Sequence, residues 1–170
     1  MTVRRCILAS WHEGNDPMKL SFIKILFSLI ALILLTFTYA LGQASTIPSA
    51  KLLYPADVVK ILQQGKDKPL LIQVGSHVLY AQAHIPGSEY IRAAATEPGL
   101  QQLRQRVASL PKNEFMILYC GCCPWSHCPN LKPAFDALNG MGFTNVRFLY
   151  IENNFGADWV NKGYPSERGE

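Results

Sequence analysis

Two short runs that are apolar on both faces constrain the fold of this chain more than any other feature. They are PLLIQVG at residues 69–75 and FMILYC at residues 115–120. Continuous apolar runs of this length are typical of strands that are buried on both faces, as in the centre of a parallel sheet. A further strand is predicted at residues 145–150, NVRFLY. The chain therefore needs a sheet with covering layers on both of its faces.

Helical patterns alternate with these strands. Apolar residues recur at helical spacing, or helix start and stop signals occur, at residues 55–65, 97–111, 130–142 and 157–165. Asn130 is suited to cap the third of these helices. The AHIPGSEYI stretch at residues 83–91 predicts a Pro-Gly turn and a short strand. This alternation predicts an α/β domain with a mostly parallel sheet, in which chemistry lies at the carboxyl ends of the strands.

The first 44 residues have a different character. Residues 25–41 are almost wholly apolar and uncharged, Lys19 and Lys24 precede them, and Gly42-Gln43-Ala44 ends in a small-x-small pattern. This is the layout of a secretory signal peptide. The alternative is an uncleaved N-terminal membrane anchor, since the apolar stretch is close to the lower length that spans a bilayer. Both alternatives predict that the rest of the chain is exported to the periplasm or cell envelope.

The 170 residues divide into three segments. Residues 1–17 are short and polar and precede the better start at Met18, so we expect an N-terminal extension without structure. Residues 18–44 are the signal peptide or anchor, and residues 45–170 form one domain. From residue 45 onward, 12 Lys and Arg face 10 Asp and Glu. No basic run is interleaved with aromatic residues, which argues against nucleic acid as a partner.

Four of the five cysteines lie in MILYCGCCPWSHCPNLKP at residues 116–133. They are Cys120, Cys122, Cys123 and Cys128. Cys120 ends the most hydrophobic predicted strand, and the following loop leads to a helix N-terminus. Because a helix N-terminus and nearby backbone N–H groups favour a thiolate, the pattern predicts that Cys120 is a nucleophile with a lowered pKa. The alternative for a strand-end cysteine is a buried, inert thiol.

Across nearly all of residues 45–170, the chain resembles the rhodanese-like domain. The matching pieces, in order, are LLIQV, AHIPGSEYI, ILYC, ALNGMGFTNVRFL and WVNKGYP. The resemblance implies a five-stranded, mostly parallel sheet with helices on both faces. It also implies that Cys120 is catalytic and carries sulfane sulfur as a persulfide to a thiophilic acceptor. Thiosulfate and cyanide are the usual test substrates of such domains.

Two departures from the family affect the expected substrate. Where the family usually has Asp-Val-Arg, this chain has Gln73, Val74 and Gly75, so both charges are absent. The substrate loop, which includes Gly121, Trp125, Ser126 and His127, contains no Lys or Arg. Its prolines, at positions 124 and 129, lack the backbone N–H groups that would cradle an anion. We therefore expect weak thiosulfate binding and a neutral donor, such as a low-molecular-weight or protein persulfide.

The three further cysteines have alternative explanations. Cys122, Cys123 and Cys128 are candidate resolving thiols that reduce a persulfide or sulfenic acid on Cys120, or that pair with it as disulfides outside the cytoplasm. A single disulfide that pins the loop is a simpler alternative. A third is a soft-metal site for zinc or cuprous copper, with Cys120, Cys123, His127 and Cys128 as ligands.

The sequence thus predicts an exported rhodanese-like sulfurtransferase that needs no cofactor. Its partners are a small sulfur-containing substrate or a protein persulfide, and it meets a membrane only through the N-terminal segment. The alternative function is a non-catalytic thiol module that binds zinc or copper or exchanges disulfides. A third possible function is that of a catalytically inactive scaffold. The absence of charge at Gln73 and Gly75 supports it, and the clustered thiols argue against it.

Overall fold

The computed structural model describes residues 46–65 and 68–169. The predictions for residues 1–17 and 18–44 lie outside the described residues. No helix within the described ranges is both long and apolar enough to cross a membrane.

Five parallel strands form one sheet in the order β1-β5-β4-β2-β3. β2 and β4 occupy the inner positions that their apolar sequences predict. The strands are β1 (Leu52–Leu53), β2 (Leu70–Val74), β3 (Glu89–Ile91), β4 (Met116–Tyr119) and β5 (Val146–Leu149). The helices are α1 (Pro55–Gln63), α2 (His77–Gln82), α3 (Glu97–Val107), α4 (Leu131–Gly140) and α5 (Phe155–Asp158).

Side chains of β4 alternate between two hydrophobic clusters, one on each face of the sheet. Both faces of this strand must therefore be apolar. Met116 and Leu118 join the cluster that includes Leu103 of α3 and the apolar side of α4. Ile117 and Tyr119 join the cluster that contains residues of α1 and α5. The predicted α/β sheet with helices on both faces is confirmed.

Local signals explain where several elements begin. Thr96 caps α3, because its Oγ1 accepts a hydrogen bond from the Gly99 N–H at 3.3 Å. Asn154 caps α5, because its Oδ1 accepts from the Ala157 N–H at 2.9 Å. This cap makes the last helix start earlier than predicted, and a separate 3₁₀ turn, Val160–Lys162, follows. The predicted single helix at residues 157–165 is therefore wrong in its bounds.

The Pro-Gly turn is tied to the sheet through a buried tyrosine. The Tyr119 hydroxyl lies 2.8 Å from Ser88 Oγ and accepts from the Ile85 N–H at 3.2 Å. Burial raises the pKa of Tyr119, so the phenol stays neutral. In the same turn, the imidazole of His84 contacts the Tyr80 carbonyl through Nδ1 at 2.9 Å. These contacts order the backbone that leads from α2 to β3, so His84 has a structural role in this turn.

Candidate functional site

Cys120 directly follows β4 at the carboxyl edge of the sheet. Only 3% of the residue is exposed, and it belongs to the larger hydrophobic cluster. Because the ends of parallel strands meet at this edge, β2 and the start of α4 bring their own residues to the same thiol. The site is therefore assembled from two parts of the sequence that are far apart, namely β2 and the stretch from the end of β4 to the start of α4.

Two donors are directed at the Cys120 sulfur. Asn130 Nδ2 donates a hydrogen bond to Cys120 Sγ at 3.2 Å, and the backbone N–H of Cys122 is a second donor. Asn130 is buried, with 4% exposed, and its Oδ1 accepts from the Ala95 N–H at 2.9 Å. Asn130 does precede α4, but its side chain makes no capping hydrogen bond. The predicted side-chain cap is therefore wrong, and the amide binds the thiol instead.

Gln73 and Gly75 form a neutral support beneath the thiol. Gln73 is buried, its Nε2 donates to the Cys120 carbonyl at 3.1 Å, and its Oε1 accepts from the Gly75 N–H at 3.1 Å. A Cβ at position 75 would lie 3.1 Å from Cys120 Sγ. The residues that replace the charged positions of the family thus hold the Cys120 backbone and leave room for its sulfur.

Gly121 is required by the turn that follows Cys120. Its φ is +78°, and a Cβ at this position would lie 2.7 Å from Cβ of Phe155. The Gly121 carbonyl also accepts from the Phe155 N–H at 3.0 Å. Positive φ and close approach both favour glycine, so this turn fixes the direction of the loop as it leaves the sheet.

Cys128, rather than Cys120, has the lowered pKa. A hydrogen bond from Cys120, helped by the backbone N–H groups of Asn130 and Leu131 at the start of α4, lowers the pKa of Cys128 to about 6. The hydrogen bond to Cys128 and burial raise the pKa of Cys120. The prediction that the helix start lowers the pKa of Cys120 is therefore wrong, because the loop places Cys128 next to those N–H groups.

The remaining thiols form a chain with Cys120. Cys120 Sγ lies 3.1 Å from Cys122 Sγ, which lies 3.3 Å from Cys123 Sγ. Partial burial, followed by the contact with Cys122, raises the pKa of Cys123 to about 12. All four cysteines of the loop are free thiols. The pKa of Cys128 is lowered while those of Cys120 and Cys123 are raised, so Cys128 is the one of these three thiols that loses its proton first.

Three sulfurs of this chain are close enough to share a metal ion. The Sγ atoms of Cys120, Cys122 and Cys123 lie within 4.8 Å of one another. This group differs from the predicted ligand set, which included His127 and Cys128. The His127 ring is exposed, and its Nδ1 lies 2.8 Å from Ser126 Oγ.

The rest of the loop is a 3₁₀ turn, Trp125–His127, packed on the end of the sheet. The Trp125 N–H donates to the Ile151 carbonyl at 3.0 Å, and its ring lies 5.4 Å from the ring of Tyr150. The N–H groups of His127 and Cys128 donate within the loop, to the carbonyls of Pro124 and Trp125. These three N–H groups are thus already used and cannot cradle an anion, as the prolines had suggested.

Two cavities reach the thiols from different sides. One, of about 360 Å³, is lined by Cys122 and Gly121 together with residues of α2 and α5. The other, of about 320 Å³, is lined by Cys128, Trp125 and Lys132 among others. Lys132 Nζ is paired with Asp136 at 2.5 Å, which offsets the only basic side chain of that lining.

Among the residues that bear on the thiols, sequence reasoning missed Asn130 as a donor and Gln73 as a support. The signal available was weak. An asparagine directly before a predicted helix is better explained as a cap. In the sequence, Gln73 stands out only because it is uncharged, and nothing there indicates that its side chain binds the Cys120 carbonyl. Cys120, Cys122, Cys123 and Cys128 were predicted together, and the fold brings all four into one cluster.

Comparisons with known proteins give a consistent picture of the fold. The sequence profile of the family described as the Rhodanese-like domain matches residues 54–150. No curated protein sequence matches the chain. Among solved structures, the rhodanese-like domain of an Anabaena protein is 19% identical with a TM-score of 0.51, covering 69% of this chain and 79% of that one.

Two more solved structures are similar. A Bacillus halodurans protein is 20% identical with a TM-score of 0.52, covering 68% of this chain and 75% of that one. A structure described as thiosulfate sulfurtransferase from Pseudomonas aeruginosa is 23% identical with a TM-score of 0.53, covering 76% of this chain but only 22% of that one. At these identities the similarity concerns the fold.

Proposed function

The chain belongs to the rhodanese-like domain family, and we propose that it is a sulfurtransferase in which Cys120 carries sulfane sulfur as a persulfide. The observation that carries the proposal is the setting of Cys120 Sγ. The sulfur directly follows a central strand, and it receives hydrogen bonds from Asn130 Nδ2 and the Cys122 N–H. Hydrogen-bond donors at this position stabilise the anionic form of the Cys120 side chain, either as a thiolate or as a persulfide.

The cluster also supplies a proton acceptor for loading. This acceptor is Cys128, whose pKa is lowered to about 6 by its interaction with Cys120 and by the backbone N–H groups of Asn130 and Leu131. In the proposed loading step, Cys120 Sγ attacks the outer sulfur of a donor persulfide, R–S–SH. The donor S–S bond breaks, its electron pair leaves on RS⁻, and the Cys120 proton passes through Cys128 to that leaving group. The products are RSH and the Cys120 persulfide, so no oxidant or reductant is consumed.

We infer that the donor is uncharged where it meets the thiols, as a low-molecular-weight or protein persulfide would be. The supports at Gln73 and Gly75 are neutral, and the N–H groups of Trp125, His127 and Cys128 are already used. Thiosulfate would bring two negative charges to a cluster that already holds one. Turnover of thiosulfate at the rate of a persulfide donor would contradict this inference.

The test of the main proposal is a mass measurement on the reduced domain. After exposure to a persulfide donor, we expect a gain of one sulfur on the peptide that contains Cys120. The gain disappears in Cys120→Ser, and cyanide or a thiol discharges it from the wild-type protein. No gain with any donor, under reducing and metal-free conditions, would overturn the proposal.

A second candidate function rests on one observation. Three sulfur ligands, from Cys120, Cys122 and Cys123, lie within 4.8 Å of one another, which suits cuprous copper or zinc. Elemental analysis of the protein as isolated separates the two functions. Stoichiometric copper or zinc that protects all three thiols from alkylation would favour the metal-binding module. A metal-free protein that accepts sulfane sulfur would favour the enzyme.

We also propose that the domain acts outside the cytoplasm. The support is the apolar, uncharged run at residues 25–41 after two lysines. Cell fractionation followed by N-terminal sequencing checks this. A mature protein that starts near residue 45 indicates cleavage, an intact membrane-bound chain indicates an anchor, and an intact cytoplasmic chain would refute export.

A further inference from the structure

The thiol that is proposed to hold the persulfide is not the thiol that faces solvent. Cys120 is buried, and it does not line either of the two cavities that reach the cluster. Cys122 is half-buried, its Sγ lies 3.1 Å from Cys120 Sγ, and it lines the cavity of about 360 Å³. A thiol acceptor that occupies this cavity therefore meets Cys122 first.

The lining of this cavity carries no charged side chain. It consists of Leu79, Gln82, Ala83, Gly121, Cys122, Asn154, Phe155, Gly156 and Val160. Leu79 and Val160, at its rim, are 37% and 36% exposed. Apolar walls with a few polar groups are the usual composition of a site for a small molecule or a side chain. The lining fits an uncharged thiol better than an anionic one.

We propose that Cys122 is a second functional thiol, which takes the sulfane sulfur from Cys120 and presents it in this cavity to an uncharged acceptor thiol. The inference rests on the proposed function, because it needs a persulfide on Cys120. It adds a transfer step inside the protein, a residue that performs this step, and a chemical class for the acceptor.

The transfer step balances without a further reactant. Cys122 Sγ attacks the outer sulfur of the Cys120 persulfide, and a new S–S bond forms between Cys122 Sγ and that sulfur. The bond between the outer sulfur and Cys120 Sγ breaks, and its electron pair stays on Cys120 Sγ. The proton lost by the Cys122 thiol ends on Cys120. An acceptor thiol, R′SH, then takes the outer sulfur in the same way and leaves as R′–S–SH.

The direct test looks for sulfur on Cys122 in the wild-type protein. The domain is loaded with limiting persulfide donor, mixed with 2-mercaptoethanol, and quenched at intervals with an alkylating agent. Fragment-ion spectra then assign the added sulfur to Cys120 or Cys122. We expect a persulfide on Cys122 that rises and decays as the Cys120 persulfide is discharged. A Cys120 persulfide that discharges with no trace on Cys122 would overturn the relay while leaving the proposed function intact.

A variant provides a second measurement. In Cys122→Ser, we expect Cys120 to load to the wild-type stoichiometry but to discharge to 2-mercaptoethanol at least tenfold more slowly. Discharge at the wild-type rate contradicts the relay alone, whereas a wild-type domain that never loads contradicts the proposed function and the relay together. If Cys122→Ser does not fold, Cys122→Ala and the trapping experiment on the wild-type protein decide the question.

The acceptor class is tested by a charge placed at the rim. Val160→Lys adds a positive charge to the cavity lining. Val78→Lys is the control, because Val78 is 64% exposed and does not line the cavity. We expect Val160→Lys to raise the discharge rate to anionic mercaptoacetate, relative to 2-mercaptoethanol, by at least threefold. Val78→Lys should leave this ratio unchanged. A ratio that is unaffected by Val160→Lys, or that changes equally in both variants, would show that the acceptor does not use this cavity.

Discussion

Replacing Asn130 separates the two hydrogen bonds that its buried amide makes. In Asn130→Asp, one carboxylate oxygen can still accept from the Ala95 N–H, as Oδ1 does at 2.9 Å. The Nδ2 donor to Cys120 Sγ, at 3.2 Å, is lost. A hydrogen bond to a charged group is worth about 1.5–3 kcal/mol. Loading of Cys120 should therefore slow by roughly tenfold to a hundredfold at mildly alkaline pH, where the carboxylate is ionised.

The assay is single-turnover loading, followed by intact mass, together with urea unfolding of each variant. Thr96→Ala is the matched control for stability, because it removes the cap of α3 at a cost of about 1 kcal/mol without contacting a cysteine. Asn130→Ala should lose both stability and rate, since it also removes the acceptor of the Ala95 N–H, at a cost of about 0.5–1.5 kcal/mol. Loading of Asn130→Asp within twofold of wild type, or an equal slowing in Thr96→Ala, would refute the reasoning.

Three further predictions concern the same edge of the sheet. The wild-type loading rate should rise with pH through about 6, as Cys128 loses its proton and becomes able to accept one from Cys120. In Cys128→Ser this rise should be absent and only an inflection at higher pH, set by Cys120 itself, should remain in the pH–rate profile. Gly121→Ala should lower the free energy of unfolding, measured in urea, by roughly 1–3 kcal/mol. The reason is that φ at this position is +78° and the new Cβ would lie 2.7 Å from Phe155. Tyr119→Phe should cost about 1–3 kcal/mol in the same measurement, since the buried Ile85 N–H loses its acceptor, while Cys120 still loads.

The layers of this fold follow from patterns that act over a few residues. Residues 70–74 and 116–119 form inner strands because nearly every side chain in them is apolar, which leaves neither face suited to water. Helix α2, His77–Gln82, was not predicted because six residues make fewer than two turns, and their apolar spacing is too short to recognise. Helix α5 begins at Phe155 because Asn154 caps it, a local signal that the predicted start at residue 157 leaves out.

The site depends on the path of the loop between β4 and α4, and this is where prediction from the sequence failed. Position along the chain indicated that a thiol at the end of β4 lies near the start of α4. It did not show that Cys128, eight residues after Cys120 and three before the start of α4, would receive the helix N–H groups. Nor did it show that Asn130 would direct its amide to Cys120 Sγ rather than cap the helix. Both outcomes are decided by the path of the loop, which Gly121 and the contact between Trp125 and Ile151 determine.

The charge of the thiol cluster favours a neutral sulfur donor over an anionic one. One thiolate, on Cys128, is held by the N–H groups of Asn130 and Leu131, while the pKa values of Cys120 and Cys123 are raised. A unit negative charge brought to about 4 Å from this thiolate meets a repulsion of about 4 kcal/mol at an effective dielectric constant of about 20. That energy corresponds to roughly a thousandfold weaker binding for each charge. In the proposed loading step, a neutral persulfide avoids this repulsion and needs only a thiolate to take a proton, which Cys128 would supply.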